Sequence, residues 1–302
     1  MLPFDLQLNG YAGIDFAAAD LTPASLRTAA AAVHDAGGGM ALATVITDDL
    51  DILEARVARL AECLLADDVA RATFPGIHVE GPFLRGDPGF VGAHPPQLTC
   101  DATPEAAARL VAAGRGLVRM VTLAPERDRN HATTRFLADR GILVAAGHCD
   151  PSRDDLAAAV RAGLRAFTHL GNACPHLLPR HDNIIQRVLA CRGIAWITFI
   201  PDGIHIPPFA LGNLIRAAGL DRAVAVTDAT AAGGMGPGRF RLGALDVDVG
   251  EDGAAWMAGR THLVGSTAGM GKVRVVLADD IGLSPAEVDR LSVENPRQAV
   301  AV

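Results

Sequence analysis

Short runs of apolar residues alternate along the chain with longer segments rich in Ala, Leu and Arg. The runs are nearly continuous in apolar character, which is typical of parallel strands buried on both faces. The segments between them have helical spacing of their apolar positions. The alternation predicts eight strands, at Phe4–Gly10, Met40–Thr47, Thr73–Gly81, Leu117–Glu126, Leu143–Cys149, Ala166–Asn172, Ala195–Gly203 and Ala223–Thr230.

Residues that begin and end helices flank several of the intervening segments. Thr22, Thr103 and Ser152 each precede a helical segment, where a side-chain oxygen can accept a hydrogen bond from the first turn. Gly37 and Gly141 are expected to end helices. Eight strand–helix units in about 250 residues are the dimensions of an α/β fold of the (β/α)8 TIM barrel type. An open doubly wound sheet is the alternative.

The segment after the eighth strand, Ala231–His262, is rich in Gly and partly alternates between apolar and polar residues. We expect a β-hairpin excursion here, with 233–238 as a loop over the carboxyl rim of the barrel. Thr267–Ile281 is expected to form the closing helix. Because no linker, repeat or low-complexity tract interrupts the pattern, residues 1–302 are interpreted as one barrel domain of the metal-dependent hydrolase type.

Composition excludes several classes of protein. Half of the 302 residues are hydrophobic, enough for a large core, yet no apolar stretch approaches the roughly 18 to 20 residues that cross a bilayer. The net charge of -7 and 4% aromatic residues argue against binding to nucleic acid. The five cysteines form no C-x-x-C pair and are expected to be reduced. We therefore expect a cytoplasmic protein without membrane or nucleic-acid partners.

In a barrel of this type, chemistry is carried out by side chains at the carboxyl ends of the strands. Acidic or imidazole side chains end four of the predicted strands: Glu80, His148, His169 and Asp228. His78 shares a strand face with Glu80, because side chains alternate with a period of two. A single His is more often a packing residue and a single Asp more often a cap. The recurrence at four strand ends is what favours a joint site.

Glu80, His148 and His169 are a sufficient ligand set for a catalytic divalent metal ion, which uses three protein ligands and keeps one position open. Zn²⁺ is favoured, although the same set can hold Fe²⁺ or another divalent ion. Such an ion lowers the pKa of its water from roughly 15.7 to about 7 and polarises a carbonyl, so that an amide becomes open to attack. Asp228 is interpreted as the base that takes the proton from this water and returns it to the departing amine.

Seven motifs occur in a characteristic order: HVEGPF, AAGHCDPS, FTHLGNACP, DGIHIPP, VTDAT, LVGSTAGM and ENPRQAV. Their order and spacing resemble the N-acetylglucosamine-6-phosphate deacetylases of the amidohydrolase superfamily, and the resemblance covers nearly the whole chain. It implies that Glu80, His148 and His169 bind the catalytic metal and that Asp228 is the acid/base.

The resemblance also implies a set of substrate contacts. These are His94, Asn172, the Ala173 backbone, Arg180 and His205. In that family the Arg reaches a phosphate in the neighbouring subunit's site, so a homodimer is implied. A guanidinium is a suitable fork for a phosphate, although a solvated loop charge is the alternative for Arg180.

The chain departs from the family pattern at its first strand. Many amidohydrolases have H-x-H here, whereas this chain has Gln7 and Asn9 around a leucine. Amides are poor metal ligands, so one metal ion per subunit is expected, with Gln7 and Asn9 beside the ligands or in the packing. The small β-sandwich that family members usually carry is expected to be missing.

Other candidate groups are assigned to ordinary roles. Cys149 and Cys174 could be soft ligands, but small buried apolar residues are the favoured interpretation. His34, His131 and His262 are expected to be solvated or packed. The segment 265–272 resembles a phosphate-binding loop but lacks its spacing and its final Ser or Thr, so it is interpreted as the turn into the last barrel helix.

The hypothesis is a metal-dependent hydrolase that removes acetate from an N-acetylated amino-sugar 6-phosphate, with His94 helping to stabilise the oxyanion. One alternative is an amidohydrolase acting on another cyclic amide or acylated amine. Another is a catalytically silent protein that binds sugar phosphates. The sequence does not distinguish epimeric sugars.

Overall fold

Eight parallel strands hydrogen-bond in sequence order in the computed structural model, which describes residues 1–242, 245–260 and 262–300. The first strand joins the end of the last through a bridge between Leu8 and Ala229, so the sheet closes on itself and the predicted (β/α)8 barrel is confirmed. The strands are β1 Phe4–Leu8, β2 Met40–Ile46, β3 Gly76–Glu80, β4 Val118–Leu123, β5 Leu143–Ala146, β6 Ala166–Phe167, β7 Trp196–Phe199 and β8 Ala223–Ala225.

Helices surround the barrel, and the predicted caps are present. Thr22, Thr103 and Ser152 each accept a hydrogen bond from a first-turn backbone N–H. Two single π-helical turns follow α9 and α10, at Val276–Asp280 and Arg290–Glu294. The helices are α1 Pro23–Asp35, α2 Leu50–Leu65, α3 Asp68–Thr73, α4 Pro104–Ala113, α5 Ala132–Ala138, α6 Arg153–Ala162, α7 Ile184–Ala190, α8 Pro208–Ala218, α9 Met270–Val275, α10 Pro285–Asp289 and α11 Asn295–Val300. None of the described helices is long and apolar enough to cross a membrane.

Both faces of the strands are buried, as the continuous apolar runs predict. Leu42, Met120 and Val224 belong to a core cluster inside the barrel. Val79 of β3 and Val121 of β4 pack instead in the larger cluster between the strands and the helices. The alternation with a period of two therefore separates an inner core from an outer one.

The interior of the barrel becomes polar towards the carboxyl end. His78 is buried there, with its Nε2 2.8 Å from Thr122 Oγ1 and its Nδ1 3.4 Å from Thr44 Oγ1. Burial lowers the pKa of His78 to about 4, so the ring is neutral near pH 7. Glu80 lies two residues further along β3, on the same face as His78. The polar layer thus forms the floor beneath the strand-end residues.

The register of β1 against β2 shifts between Asp5 and Leu8. As a result, two successive residues face the barrel interior: Leu6 joins the inner core, and Gln7 reaches Glu80. Irregularities of this kind often re-aim a side chain beside an active site. Strict alternation would turn the Gln7 side chain away from the barrel interior. The shift therefore explains how Gln7 reaches Glu80.

A three-stranded antiparallel sheet follows β8 and contains β9 Gly238–Leu242, β10 Leu245–Val249 and β11 Ala255–Met257. The predicted hairpin is thus confirmed and extended by one strand. Within the predicted excursion, Gly243, Ala244 and Thr261 lie outside the described residues. Val247, Val249 and Ala255 of this sheet cluster with Val264 and contact Ala93, so the sheet lies beside the carboxyl rim of the barrel.

Candidate active site

Three of the four predicted strand-end residues lie beyond the strands, not within them. Glu80 is the last residue of β3, whereas His148, His169 and Asp228 follow β5, β6 and β8. These three have φ of 51°, 32° and 48°, the left-handed region that few residues other than Gly adopt. The predicted ends of these strands were therefore too late. Backbone of this kind clusters at functional sites, where the surrounding fold holds it in place.

Glu80, His148 and His169 form one buried group that can hold a metal ion. Glu80 Oε1 is 3.4 Å from His148 Nε2 and 3.0 Å from His169 Nε2. A tetrahedral Zn²⁺ with bonds near 2.1 Å separates its ligand atoms by about 3.4 Å. The donor types and their spacing therefore fit a divalent cation with only small movements of the side chains.

The surrounding residues orient the His148 ring and keep Glu80 ionised. His148 Nδ1 lies 2.9 Å from the Phe90 carbonyl oxygen, which only accepts, so Nδ1 donates this hydrogen bond and the ring presents Nε2 to Glu80. Burial opposes ionisation of Glu80, but hydrogen bonds and charge from His148 and His169 outweigh it and hold the pKa of Glu80 well below its usual value. Glu80 is therefore a carboxylate at neutral pH.

Asp228 lies beside this group and is held by two amides. Its Oδ1 accepts hydrogen bonds from Gln7 Nε2 at 3.1 Å and from Asn9 Nδ2 at 2.7 Å. Gln7 Nε2 also donates to Glu80 Oε2 at 3.0 Å, so one amide connects both carboxylates. Burial, and then the charge of Glu80, raise the pKa of Asp228 above its usual value. A raised pKa suits a group that must both take and return a proton.

A cavity of about 220 Å³ opens above the group. Its lining includes Glu80, His148, His169, Asp228, His94, Asn172 and Ala173, all predicted for the site. Thr47 and Arg56 also line it and were not predicted. Burial, and then the charge of His148, lower the pKa of His94 to about 3, so this ring is neutral. The cavity thus combines a charged carboxylate, the neutral imidazole of His94 and a carboxyl group of raised pKa.

The structure places the other two predicted substrate residues outside the cavity lining. His205 Nδ1 lies 2.7 Å from Asp202 Oδ2, and Asp202 Oδ1 accepts from the backbone N–H groups of Ile204 and His205. Asp202 was missed, although an acidic residue three positions before the His of DGIH is a visible signal. Arg180 is exposed on the loop between β6 and α7.

The residues assigned to ordinary roles are not members of the Glu80, His148 and His169 group. His34 lies in α1 and hydrogen-bonds to Thr73 Oγ1, and His131 ends a 3-10 turn before α5. Cys149 is buried, and burial raises the pKa of its thiol well above the usual value, so the thiolate needed for metal binding is disfavoured. All five cysteines are free thiols.

Asp5 is a buried carboxyl group beneath Asp228. It accepts hydrogen bonds from the backbone N–H groups of Gln7 at 3.1 Å and Thr227 at 3.2 Å, and from the Thr227 hydroxyl. Burial is the largest cause that raises the pKa of Asp5 to about 7. Asp5 therefore ties β1 to the residue that precedes Asp228, in a protonation state that changes near neutral pH.

We expect Asp5 to make the free energy of unfolding fall as pH rises from about 4 to about 7. In this range the folded chain keeps a proton that the unfolded chain, with an Asp pKa near 3.9, has lost. The contribution is at most about 1.4 kcal/mol per pH unit and levels off above pH 7. Urea unfolding at pH 5, 6 and 7 should show a shallower decline for Asp5→Asn than for the wild type. The exposed control Asp20→Asn should follow the wild type, and equal declines for all three proteins would refute the assignment.

A closed (β/α)8 barrel with a Glu, His and His group at its carboxyl rim is the arrangement of a metal-dependent hydrolase. No family model matches the chain. It is 30% identical over 247 residues to N-acetylglucosamine-6-phosphate deacetylase from Bacillus subtilis. The aligned region covers 81% of this chain and 61% of that protein. It is 28% identical to N-acetylgalactosamine-6-phosphate deacetylase from Escherichia coli O157:H7, over 99% of this chain and 77% of that one.

A solved structure gives a similar result over the whole chain. A mutant N-acetyl-D-glucosamine-6-phosphate deacetylase from Mycobacterium smegmatis, in complex with N-acetyl-D-glucosamine-6-phosphate, is 33% identical with a TM-score of 0.89. The alignment covers 100% of this chain and 78% of that one. The chain therefore belongs to the N-acetylglucosamine-6-phosphate deacetylase family. It spans about three fifths of the Bacillus subtilis relative's length.

Proposed function

We propose that this chain is a metal-dependent hydrolase that removes acetate from N-acetylglucosamine 6-phosphate or a close epimer. One observation carries the proposal: Glu80, His148 and His169 form a buried ligand group, with Asp228 beside it in one cavity. The names of the relatives, and the sugar phosphate bound to the Mycobacterium smegmatis mutant, support this choice of substrate.

Glu80, with the Nε2 atoms of His148 and His169, would hold one divalent cation per subunit, and Zn²⁺ suits this mixture of oxygen and nitrogen donors. When bound, it supplies a water of lowered pKa and polarises the acetyl carbonyl. Gln7 and Asn9 point amide N–H groups at the two carboxylates. Because an N–H group is a donor to these carboxylates and not a ligand, this arrangement supports a single ion.

Asp228 moves the proton in this proposal. The amides of Gln7 and Asn9 both bind Oδ1, which leaves Oδ2 to take the proton from the attacking water. The same carboxyl group then gives this proton to the amine nitrogen as the C–N bond breaks, so that acetate and the free amine leave. His94, neutral and facing the same cavity, donates to the carbonyl oxygen as it gains negative charge.

Asn172 and Ala173 lie in the cavity wall, where the sugar phosphate would bind. Asp202 fixes the ring of His205 beside it. Arg180, exposed and outside the cavity lining of its own subunit, is proposed to bind the phosphate in a neighbouring subunit, in a homodimer. Five free cysteines favour a reducing compartment, in keeping with the expected cytoplasmic location.

The test is acetate release by the Zn²⁺-loaded chain from three compounds: N-acetylglucosamine 6-phosphate, N-acetylgalactosamine 6-phosphate and unphosphorylated N-acetylglucosamine. We expect the phosphorylated sugars to be favoured by at least about 100-fold in kcat/KM, because charge-assisted bonds to phosphate are lost without it. Activity should disappear with a chelator and return with added metal. Equal rates with the unphosphorylated sugar, or turnover of a cyclic amide alone, would contradict the proposal.

A further inference from the structure

Thr47 follows β2 and is buried against His94. Its Oγ1 lies 2.8 Å from His94 Nδ1. Gly81, with φ of +87°, allows this approach, because a Cβ at that position would overlap with Thr47 Oγ1. His94 also packs edge-on against the ring of His148, at 4.3 Å between centroids. The ring of His94 is therefore fixed on one side by a ligand histidine and on the other by a hydroxyl group.

The Thr47 hydroxyl has one hydrogen to give, and two acceptors are near. The backbone oxygen of Glu80 is 3.5 Å away, at the outer limit for a hydrogen bond, whereas His94 Nδ1 is at 2.8 Å. The shorter contact favours donation of this hydrogen to Nδ1. A neutral imidazole carries one N–H, so donation to Nδ1 places the proton of His94 on Nε2.

The opposite side of the ring supports the same tautomer. His94 Nε2 lies 3.9 Å from Glu80 Oε2, too far for a hydrogen bond but close enough for charge to matter. An N–H group directed towards a carboxylate is favourable, whereas a lone pair in that position would be repelled. Both neighbours of the ring thus favour a proton on Nε2.

We propose that Thr47 is a positioning residue: by donating to Nδ1, it holds His94 as the Nε2–H tautomer with its N–H directed into the cavity. There the N–H would bind the acetyl carbonyl oxygen as negative charge develops on it. The proposed catalytic consequence rests on the deacetylase function above. The tautomer itself does not depend on that function.

The experiment compares Thr47→Val, which keeps the shape and loses the hydroxyl, with Thr47→Ser, which keeps the hydroxyl. Removing one donor to a developing oxyanion costs about 10²- to 10³-fold in kcat. Because Thr47 acts through His94, we expect a smaller loss of about 10- to 100-fold for Thr47→Val, with KM nearly unchanged. Thr47→Ser should restore kcat to within about 3-fold of the wild type. Wild-type kcat in folded, metal-loaded Thr47→Val would overturn the proposal.

A second measurement needs no substrate. ¹⁵N NMR of the histidine rings in the Zn²⁺-loaded wild type should show His94 with Nε2 protonated and Nδ1 unprotonated, with His94→Gln providing the assignment. In Thr47→Val, the Nδ1 resonance should move to the position of a nitrogen without a hydrogen bond. A proton on Nδ1 in the wild type would refute the proposal. The expected spectra without any acetate release would refute the deacetylase function alone.

Discussion

Replacing Glu80 by Gln is expected to remove the bound metal ion and, with it, acetate release. Glu80 is the only anionic member of the group, and its Oε1 lies within 3.4 Å of both histidine Nε2 atoms. An amide is a poorer ligand and leaves two buried imidazoles without a carboxylate between them. Loss of a residue that only orients a ligand costs about 10- to 100-fold in metal affinity, so loss of a ligand should cost more.

The measurement is metal content after dialysis, followed by acetate release at saturating sugar phosphate. Glu105→Gln is a suitable control, because Glu105 lies in the first turn of α4 and does not line the cavity. It should retain one metal ion per chain and full activity. Glu80→Gln with one ion and wild-type activity would show that the metal site lies elsewhere.

Asp228→Asn is expected to keep the metal ion and to lose about 10²- to 10⁴-fold in kcat, the range attributed to a positioned acid or base. The Asn carbonyl oxygen can still accept from Gln7 and Asn9, so the geometry is preserved. The side-chain amide cannot take the proton from water or give one to the amine. The defect should therefore be confined to proton transfer.

Two measurements distinguish a loss of proton transfer in Asp228→Asn from damage to the site. Metal content should equal that of the wild type, and the acidic limb of the kcat profile, which reports the raised pKa of Asp228, should be absent from the residual activity. Asp139→Asn, on an exposed position at the end of α5, should behave as the wild type. Unchanged kcat in Asp228→Asn would refute the acid/base role, and loss of metal would make Asp228 a ligand.

The barrel could be predicted from sequence because parallel strands buried on both faces are continuously apolar. Each of the eight predicted runs contains an observed strand. That Glu80, His148 and His169 come together could also be predicted, because acidic and imidazole side chains at several strand ends are difficult to explain by packing. The ends of the strands were less predictable. His148, His169 and Asp228 lie in left-handed turns, which a pattern with a period of two does not encode.

The supporting contacts depend on geometry that only the fold provides. The register shift in β1 brings Gln7 to Glu80 and Asp228, and no residue type in the sequence signals that shift. Thr47 is distant from His94 in sequence, and their contact depends on the turn at Gly81. Residue types thus identify the chemistry, whereas the hydrogen-bond partners that tune it become visible only in three dimensions.

Anomalous diffraction from crystals of Zn²⁺-loaded Asp228→Asn grown with N-acetylglucosamine 6-phosphate would show whether Glu80, His148 and His169 hold one metal ion beside residue 228. We predict one metal peak per chain, about 2.0 to 2.2 Å from a Glu80 oxygen and from the Nε2 atoms of His148 and His169, with the acetyl group of the sugar facing residue 228. A peak on other residues, or a second ion coordinated by Gln7 and Asn9, would contradict the account.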